Sequence, residues 1–530
     1  MAKSSKSLQG EMFKERNLSD FYWAYADILR GIGIPTATYD QRIMAFMTVK
    51  LLIDNNKLKF NFEYKKQFGL TDKLYKKYKG KDTKETFKNI IADIENLGQN
   101  LNYFTQEARY NPSESQNILA YINHPKVFIL DAYIEELENH YLKMVLDIYT
   151  YKANFKNYPK EQYKDLYEKT ISRMKKLSGD LTGQHFTQKS IIHLMCQQAI
   201  KQIIDNKTIA IYDPTSGTGS MLMESAFYFK QNTKVEKIEI YGQENHAQTW
   251  LLSKIFLEIS SLDGKQEGIK NIIAFGNTLT EPAFSKGING DDSFDFIIAN
   301  PPFGVDWKHD YDTVVSNMKQ KETNFFVVKD GKKIITPRKS DGQFLFMQHI
   351  LNLMQKENAR GKRAVASIIS SSTLISTGSK TSSEAKLRNA IFNTKMLKVV
   401  IEQPRAMFTN TDITSNIWFF DTETSENIKV IKADNDEKPL FSQHTAPQDK
   451  MKNAYSENNI KEILKLINNK KEEKYISKNL KTNNLHGIYI YNEIETKSVL
   501  EDINITDIEK SIQETLKKIS DIKISEQSYI

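Results

Sequence analysis

Four consecutive residues of this 530-residue chain combine an amide, a rigid turn and an aromatic ring: Asn300, Pro301, Pro302 and Phe303. They directly follow the strand-like run 294–299. Because two successive prolines cannot donate to a sheet ladder, they must end that strand at the carboxyl edge of a sheet. Ligands bind at this edge in open α/β folds. The tetrapeptide therefore predicts a pocket for an amino group on a flat ring, with all four residues as catalytic candidates.

A glycine-rich turn follows a second strand-like run, 208–212, and leads into a helical stretch. Gly217 and Gly219 would let the backbone approach a ligand closely. Asp213 replaces the glycine that usually begins a nucleotide-binding turn, and its carboxylate suits a positively charged amino group better than a pyrophosphate. The candidate cofactor-binding residues of this turn are Asp213, Thr215, Ser216, Gly217, Gly219 and Ser220.

Two further strand ends carry polar side chains. Glu244 lies beyond the glycines at about the distance where an acid is expected to bind ribose hydroxyls. The amide of Asn277 could hydrogen-bond an adenine edge. Each residue alone is typical of a turn, but parallel strands would carry all these ends to one crevice. S-adenosyl-L-methionine, a nucleoside with an amino-acid tail, fits this crevice. Its candidate ligands here are Glu244, Asn245, Asn277, Thr278 and Leu279.

From about residue 178, short β-branched runs alternate with amphipathic helical stretches such as 220–229 and 343–354. This alternation predicts an α/β fold, a doubly wound and mostly parallel sheet with helices on both faces. The runs that predict strands are 208–212, 237–241, 271–275, 294–299, 363–369, 397–401 and 416–420.

The periodicity divides the chain into three predicted parts. Residues 1–175 show helical spacing without a strand-rich block, and the α/β pattern occupies 176–434. Helical spacing returns in 435–530, which predicts a helical C-terminal region for subunit assembly. Its last apolar stripe predicts either a seam with a partner helix or packing on its own domain. The apolar positions of this region are Ile460, Ile463, Leu464 and Ile467, then Ile505, Ile508, Ile512, Leu516 and Ile519.

The composition indicates a soluble globular protein, with 39% hydrophobic and 26% charged residues. A net charge of +8 would favour a polyanion but is too diffuse to identify one. Cys196 is the single cysteine, which excludes an intrachain disulfide and argues against a cysteine-based zinc site. The chain has neither a signal-peptide pattern nor an apolar stretch of membrane-spanning length. We therefore expect a cytoplasmic protein without a metal.

These motifs together resemble the modification subunit of type I restriction-modification systems, an N6-adenine DNA methyltransferase. The Asn300 motif with the glycine turn is typical of the methyltransferase class, and the segment 23–31 points to this subunit. The resemblance rests on the segments 23–31, 183–188, 213–219, 300–303 and 341–346.

The resemblance implies a Rossmann-like S-adenosyl-L-methionine-dependent methyltransferase that modifies a flipped adenine in double-stranded DNA. It adds Phe186 and Thr187 to the expected cofactor contacts. It also implies three protein partners: a specificity subunit, a second copy of this chain and a restriction subunit. The family carries Thr-Pro where this chain has Thr187 and Gln188, and usually cysteine at Ser216. Since no complete GxxxxGK[ST] motif occurs here, ATP-driven translocation is expected in another subunit.

The resemblance also implies a mechanism. An exocyclic amine conjugated to a purine is a poor nucleophile, so the Asn300 side-chain carbonyl and the Pro301 backbone carbonyl would accept its two protons. Fixed dipoles would then stabilise the charge that develops on nitrogen. Phe303 would stack on a base rotated out of the duplex. Positioning the methyl group is the main remaining task, and no ionised base or metal is required.

Several alternatives stay open from the sequence. The segment 305–340 contains eight basic residues and predicts either a mobile loop that closes over DNA phosphates or a solvated insertion. The Asn300 motif also suits methylation of RNA or of a protein glutamine. A third possibility is an inactive scaffold that only clamps DNA, although the intact Asn300 and Phe303 argue against it.

Overall fold

The computed structural model describes residues 187–481 with short gaps, together with residues 22, 23, 26 and 162. The predictions for the rest of the helical domain at 1–175, for Phe186 and for the stripe beginning at Ile505 lie outside the described residues. None of the described helices is both long and apolar enough to cross a membrane. The gaps are at 204–205, 247–248, 251–252, 254–255, 258–268, 285–293, 380, 409–412, 435–437, 444–452, 470 and 472–476.

Helices and strands alternate along the described part of the chain. The helices are α1 (Lys189–Ile203), α2 (Ser220–Asn232), α3 (Tyr311–Met318), α4 (Gln343–Ala359), α5 (Ser383–Asn393) and α6 (Glu457–Asn468), with 3-10 turns at Lys308–Asp310 and Ser372–Ile375. The strands are β1 (Thr208–Asp213), β2 (Lys237–Glu244), β3 (Ile269–Phe275), β4 (Phe296–Ala299), β5 (Val328–Asp330), β6 (Lys333–Ile335), β7 (Val365–Ser371), β8 (Leu397–Glu402), β9 (Ser415–Asp421), β10 (Asn427–Lys432), β11 (Ser442–Gln443), β12 (Asn453–Ala454) and β13 (Ser477–Lys481).

Nine of these strands form one sheet in the order β13-β10-β8-β9-β7-β4-β1-β2-β3. Five of its eight described pairings are parallel and three are antiparallel. The predicted mostly parallel α/β sheet is therefore confirmed. The alternation did not predict that β9 runs antiparallel between β7 and β8.

The centre of the sheet is fully buried. Every residue of β4, β7 and β9 is buried, as expected of strands that are covered on both faces. Aromatic side chains pack the neighbouring strands together: the Tyr212 ring stacks on Phe294 at 4.7 Å between ring centres, and Tyr241 meets Phe294 edge-on at 5.5 Å. This packing holds the ends of β1, β2 and β4 in fixed relative positions.

The region after residue 434 differs from the predicted helical tail. Helix α6 is present and buries Ile460, Ile463 and Leu466, and Ser456 caps it through a capping box with Asn459. However, β13 pairs antiparallel with β10 and forms an edge of the main sheet. Part of 435–530 therefore belongs to the sheet, because β10 finds its second neighbour only in this later segment.

The segment 305–340 is folded rather than a loop. It contains α3 and the hairpin of β5 and β6, and it packs on the start of α4 through its own apolar cluster. The Trp307 ring is buried, and its Nε1 donates to the Arg338 carbonyl at 2.9 Å. The expectation of a merely solvated insertion is wrong, and closure over DNA stays a prediction. The segment contributes to a core that consists of Leu279, Trp307, Val314, Met318, Phe325, Leu345 and Phe346.

The Trp307→Ala variant tests this core. We expect a loss of about 3–5 kcal/mol in local stability, because a large buried aromatic leaves a cavity and the Arg338 carbonyl loses one of its two donors. Limited trypsin digestion should then cleave within 308–339, where the wild type resists. Val305→Ala is the control, since that side chain is 41% exposed. Equal protection of Trp307→Ala and wild type would contradict the packing described above.

Candidate active site at the ends of β1 and β4

Strands β1 and β4 are parallel neighbours, and the two main motifs follow them directly. Their register pairs Ile211 with Phe296 and Tyr212 with Ile297. The glycine turn begins after β1, and Asn300 is the first residue after β4. The structure therefore brings the tetrapeptide and the glycine turn to the same edge of the sheet, as their strand-end positions predicted.

Hydrogen bonds connect the two motifs through Thr187. The Asn300 Nδ2 donates to Thr187 Oγ1 at 3.1 Å, and Thr187 Oγ1 donates to Met221 Sδ at 3.1 Å. Met221 lies in the first turn of α2, directly after the glycine turn. Since the single hydroxyl proton points to sulfur, the Thr187 oxygen can only accept from the amide. This arrangement directs the Asn300 carbonyl away from Thr187.

The Asn300 carbonyl is buried without a hydrogen-bond partner in the described part of the chain. A buried acceptor without a donor costs free energy, and such groups are uncommon in native proteins. Thr187 accepts from the nitrogen end of the same amide. Asn300 is thus an oriented acceptor that can receive an N–H donor from outside the chain.

Aromatic rings lie beside this acceptor. Phe303 is half-buried, and its ring meets Phe408 edge-on at 6.3 Å and 82°. Phe408 follows β8 and is almost fully buried. The pair can form one wall for a flat ring. Sequence reasoning missed both Phe408 and Met221, because no local pattern links either residue to Asn300.

The glycine turn folds back onto the end of β2. Gly217 and Gly219 have φ values of +53° and +75°, a left-handed conformation that favours glycine. The Ser216 N–H donates to the Gln243 carbonyl at 2.9 Å, and the Gly217 N–H donates to Glu244 Oε2 at 3.0 Å. A Cβ on Gly217 would meet nothing closer than 3.9 Å. The turn therefore leaves open space where a ligand could approach the backbone.

Two buried carboxylates face this turn. Asp213 Oδ1 accepts from the Thr215 N–H at 2.8 Å, and burial raises the pKa of Asp213 to about 7 against these hydrogen bonds. Glu244 Oε1 accepts from the His246 N–H at 2.7 Å, and burial also raises the pKa of Glu244. A cationic group would stabilise the ionised form of either side chain.

The remaining predicted residues divide into engaged and accessible groups. The Asn277 amide is engaged, since its Oδ1 accepts from the Leu279 N–H and its Nδ2 donates to Asp310 Oδ2, both at 3.0 Å. Thr278 Oγ1 donates to the Pro214 carbonyl at 2.6 Å and so ties this turn to the glycine turn. Asn245 is exposed and Ser220 half-buried.

A cavity of about 1020 Å³ lies away from these residues. It borders α1, α6 and the first residues of β7, β8 and β10. Because these are the amino ends of the strands, whereas Asn300 follows the carboxyl end of β4, the cavity lies at the opposite edge of the sheet. Its lining contains none of the predicted site residues.

Comparison with known proteins identifies a family. The family model described as N-6 DNA Methylase matches residues 159–518. The chain is 26% identical over 270 residues to the type I restriction enzyme HindI methylase subunit of Haemophilus influenzae, which covers 51% of this chain and 53% of that protein. It is 24% identical over 381 residues to the MpnII methylase subunit of Mycoplasma pneumoniae, covering 68% and 62%. The chain thus spans about half to three-fifths of the length of these curated relatives.

Solved structures resemble the fold at low sequence identity. The type I restriction-modification methyltransferase subunit of Streptococcus thermophilus superposes with a TM-score of 0.55 at 16% identity, over 88% of this chain and 96% of that chain. A modification subunit of a type I restriction enzyme described as putative, from Vibrio vulnificus, gives 0.53 at 15% identity over 88% and 93%. The likeness supports the α/β architecture.

The Gly242→Ala variant tests the close approach of the glycine turn to β2. A Cβ at Gly242 would lie 2.7 Å from both Ser216 Cβ and Ile273 Cδ1, so we expect a loss of about 1–3 kcal/mol in the free energy of unfolding. Urea denaturation measures this loss. Gly342→Ala is the control, because its φ is −86° and its Cβ would meet nothing closer than 3.6 Å. If both variants unfold at the wild-type urea concentration, the contact is not as tight as described.

Proposed function

The chain belongs to the N-6 DNA methylase family, and we propose that it transfers a methyl group from S-adenosyl-L-methionine to N6 of an adenine flipped out of double-stranded DNA. We further propose that it does so as the modification subunit of a type I restriction-modification system. One observation carries the chemistry. The Asn300 carbonyl is buried, oriented by Thr187 and without a hydrogen-bond donor in the described part of the chain.

The geometry at Asn300 matches what an adenine amine needs. The amine has two N–H donors, and its lone pair is delocalised into the ring. The Asn300 carbonyl accepts a hydrogen bond from one N–H and the Pro301 backbone carbonyl accepts one from the other, which concentrates the lone pair on nitrogen. One of the two protons leaves after the methyl group has been transferred. Because the Thr187 hydroxyl already holds the amide, the acceptor does not reorganise during the reaction. Phe303 and Phe408 bound the slot for the ring.

The cofactor occupies the crevice along β1 and β2 in this proposal. When bound, S-adenosyl-L-methionine supplies a methyl group on a sulfonium, which is already activated for transfer. Asp213 binds the amino group of its methionine end, and Glu244 binds the ribose hydroxyls. The open space at Gly217 and the two buried carboxylates fit such a cationic nucleoside. The turn at Asn277, Thr278 and Leu279 bounds the adenine end.

The proposed partners follow from the named relatives. Those relatives are methylase subunits of type I restriction enzymes, so we propose a specificity subunit, a second copy of this chain and a restriction subunit as partners. We also propose a cytoplasmic location. We also propose that the basic residues of 305–340 contact DNA, which is supported by the bond between Asp310 and Asn277 that ties this segment to the end of β3.

Transfer of tritiated methyl groups from S-adenosyl-L-methionine tests the substrate. Duplex DNA, RNA and a protein extract are offered separately, with and without a specificity subunit. We expect label in duplex DNA, recovered as N6-methyladenine after digestion to nucleosides. Label confined to RNA or to protein glutamine would favour those substrates instead. No label under any pairing would favour a scaffold that only clamps DNA.

The Asn300→Ala variant tests the acceptor. We expect methyl transfer to fall by about a hundred- to a thousand-fold, because a preorganised acceptor for the reacting amine is removed. Cofactor affinity, measured by calorimetry, should stay within about two-fold of wild type, since Asn300 serves the base. Asn358→Ala is the control, an exposed asparagine at the end of α4. Equal loss of cofactor affinity and transfer in Asn300→Ala would contradict this assignment.

The pH dependence of cofactor binding tests Asp213. Its pKa of about 7 means that the carboxyl is mostly neutral at pH 6 and mostly ionised at pH 8. Because only the ionised form attracts the amino group, the Kd should be about ten-fold higher at pH 6 than at pH 8. Asp213→Asn should bind weakly and without this dependence, whereas Glu244→Gln should keep the inflection. A wild-type Kd that is constant over this range would contradict the role of Asp213.

A further inference from the structure

The side chain of Gln188 joins its own segment to two others that are distant in sequence. It lies directly before α1 and is 7% exposed. Its Nε2 donates to the Met407 carbonyl at 2.6 Å and to the Asn453 carbonyl at 2.8 Å. Both amide protons therefore serve main-chain acceptors, 219 and 265 residues away in sequence.

The segment 405–407, whose Met407 carbonyl accepts from Gln188, has a strained backbone. Ala406 has a φ of +54°, a left-handed conformation that residues with a Cβ rarely adopt. Asn453 holds the same segment from another side, since its Nδ2 donates to the Arg405 carbonyl at 2.8 Å. Such a conformation persists where surrounding contacts determine it, and strained residues of this kind cluster at functional sites. The Gln188 amide is one of these contacts.

The strained segment leads directly to Phe408, whose ring packs against Phe303 of the catalytic motif. Phe408 directly follows Met407, the residue whose carbonyl accepts from Gln188. The Phe408 ring is 1% exposed and meets Phe303 edge-on. A shift of the Met407 carbonyl therefore moves the backbone that carries Phe408. Thr187, adjacent to Gln188, orients Asn300, which precedes Phe303 by three residues in the same motif.

We propose that Gln188 is a positioning residue, whose amide holds the Met407 carbonyl so that Phe408 keeps the base slot beside Phe303 at the width of a flipped adenine. The inference rests on the proposed function for the identity of the base. Its structural part, the ordering of Phe408 by Gln188, does not. Two adjacent residues then have two positioning roles in the base site. Thr187 orients the Asn300 carbonyl, and Gln188 positions the Phe408 ring.

The first experiment measures the environment of the Phe408 ring by ¹⁹F NMR. The full chain carries 4-fluorophenylalanine at position 408, and its ¹⁹F resonance reports the environments of the ring. We expect one narrow resonance for otherwise wild-type protein, and a broadened or split resonance for Gln188→Met, which keeps the size but cannot donate. Gln188→Glu should be broadened further, because its carboxylate faces two carbonyls. The control is Gln198→Met, the same change within α1 at a residue that lines the cavity at the opposite edge of the sheet, and it should keep the wild-type resonance.

A wild-type resonance in Gln188→Met would overturn the proposal. Loss of the cooperative unfolding transition in Gln188→Met would also overturn it, because the amide would then support the whole fold. Should Gln188→Glu alone fail to fold, Gln188→Met decides the question.

The second experiment measures the kinetics of methyl transfer. In methyl transfer to duplex DNA, we expect Gln188→Met to lower kcat by about ten-fold, with the KM for S-adenosyl-L-methionine within about two-fold of wild type. An unchanged kcat with a raised cofactor KM would overturn the positioning role. If wild-type protein labels no DNA, the proposed function fails, and the ¹⁹F comparison still decides whether Gln188 orders Phe408.

Discussion

The carbonyl of Asn300, which has no hydrogen-bond partner among the described residues, is the constraint on which the site depends. An amide whose buried carbonyl has no donor keeps its direction only if its nitrogen end is held. Thr187 holds it through a hydroxyl whose proton is committed to the Met221 sulfur. The acceptor is therefore directed before any ligand arrives. The tight strand packing behind it, with β4 buried throughout, prevents the motif from relaxing to satisfy the carbonyl internally.

Several buried polar groups whose burial costs free energy lie at one edge of the sheet. The carboxyl ends of β1, β2 and β4 carry an unsatisfied amide, two carboxyls with raised pKa values and a left-handed glycine turn. Burial of the amide carbonyl and of the two carboxyls lowers the stability of the free protein, and an N–H donor or a cation would relieve that cost. The opposite edge also carries costly groups, since burial raises the pKa of Asp295 and Lys395 has a φ of +59°.

The folded segment 305–340 is attached to this edge at two points. Asp310 accepts from the Asn277 amide at the end of β3. At the other end, Arg338 donates to Asp341, which accepts from Gln343, and Gln343 also donates to Ser371 at the end of β7. Its apolar cluster fills the space between these anchors. A loop or a solvated insertion, the two structures expected from the many lysines of this segment, would not have such anchors. Charge dominates the composition of the segment, but seven buried apolar residues determine its structure.

The local parts of this protein could be predicted from its residues: the α/β alternation, the ends of most strands, the glycine turn and the Asn300 motif. These follow from propensities and patterns within a few residues of one another. Long-range packing sets the rest: β9 lies antiparallel between β7 and β8, β13 forms an edge of the sheet, Thr187 orients Asn300 and Gln188 holds Met407. The partners in the two side-chain contacts are 113 and 219 residues apart. Nothing in a local pattern specifies such a partner, because it is chosen by which surfaces the packed sheet brings within hydrogen-bond distance.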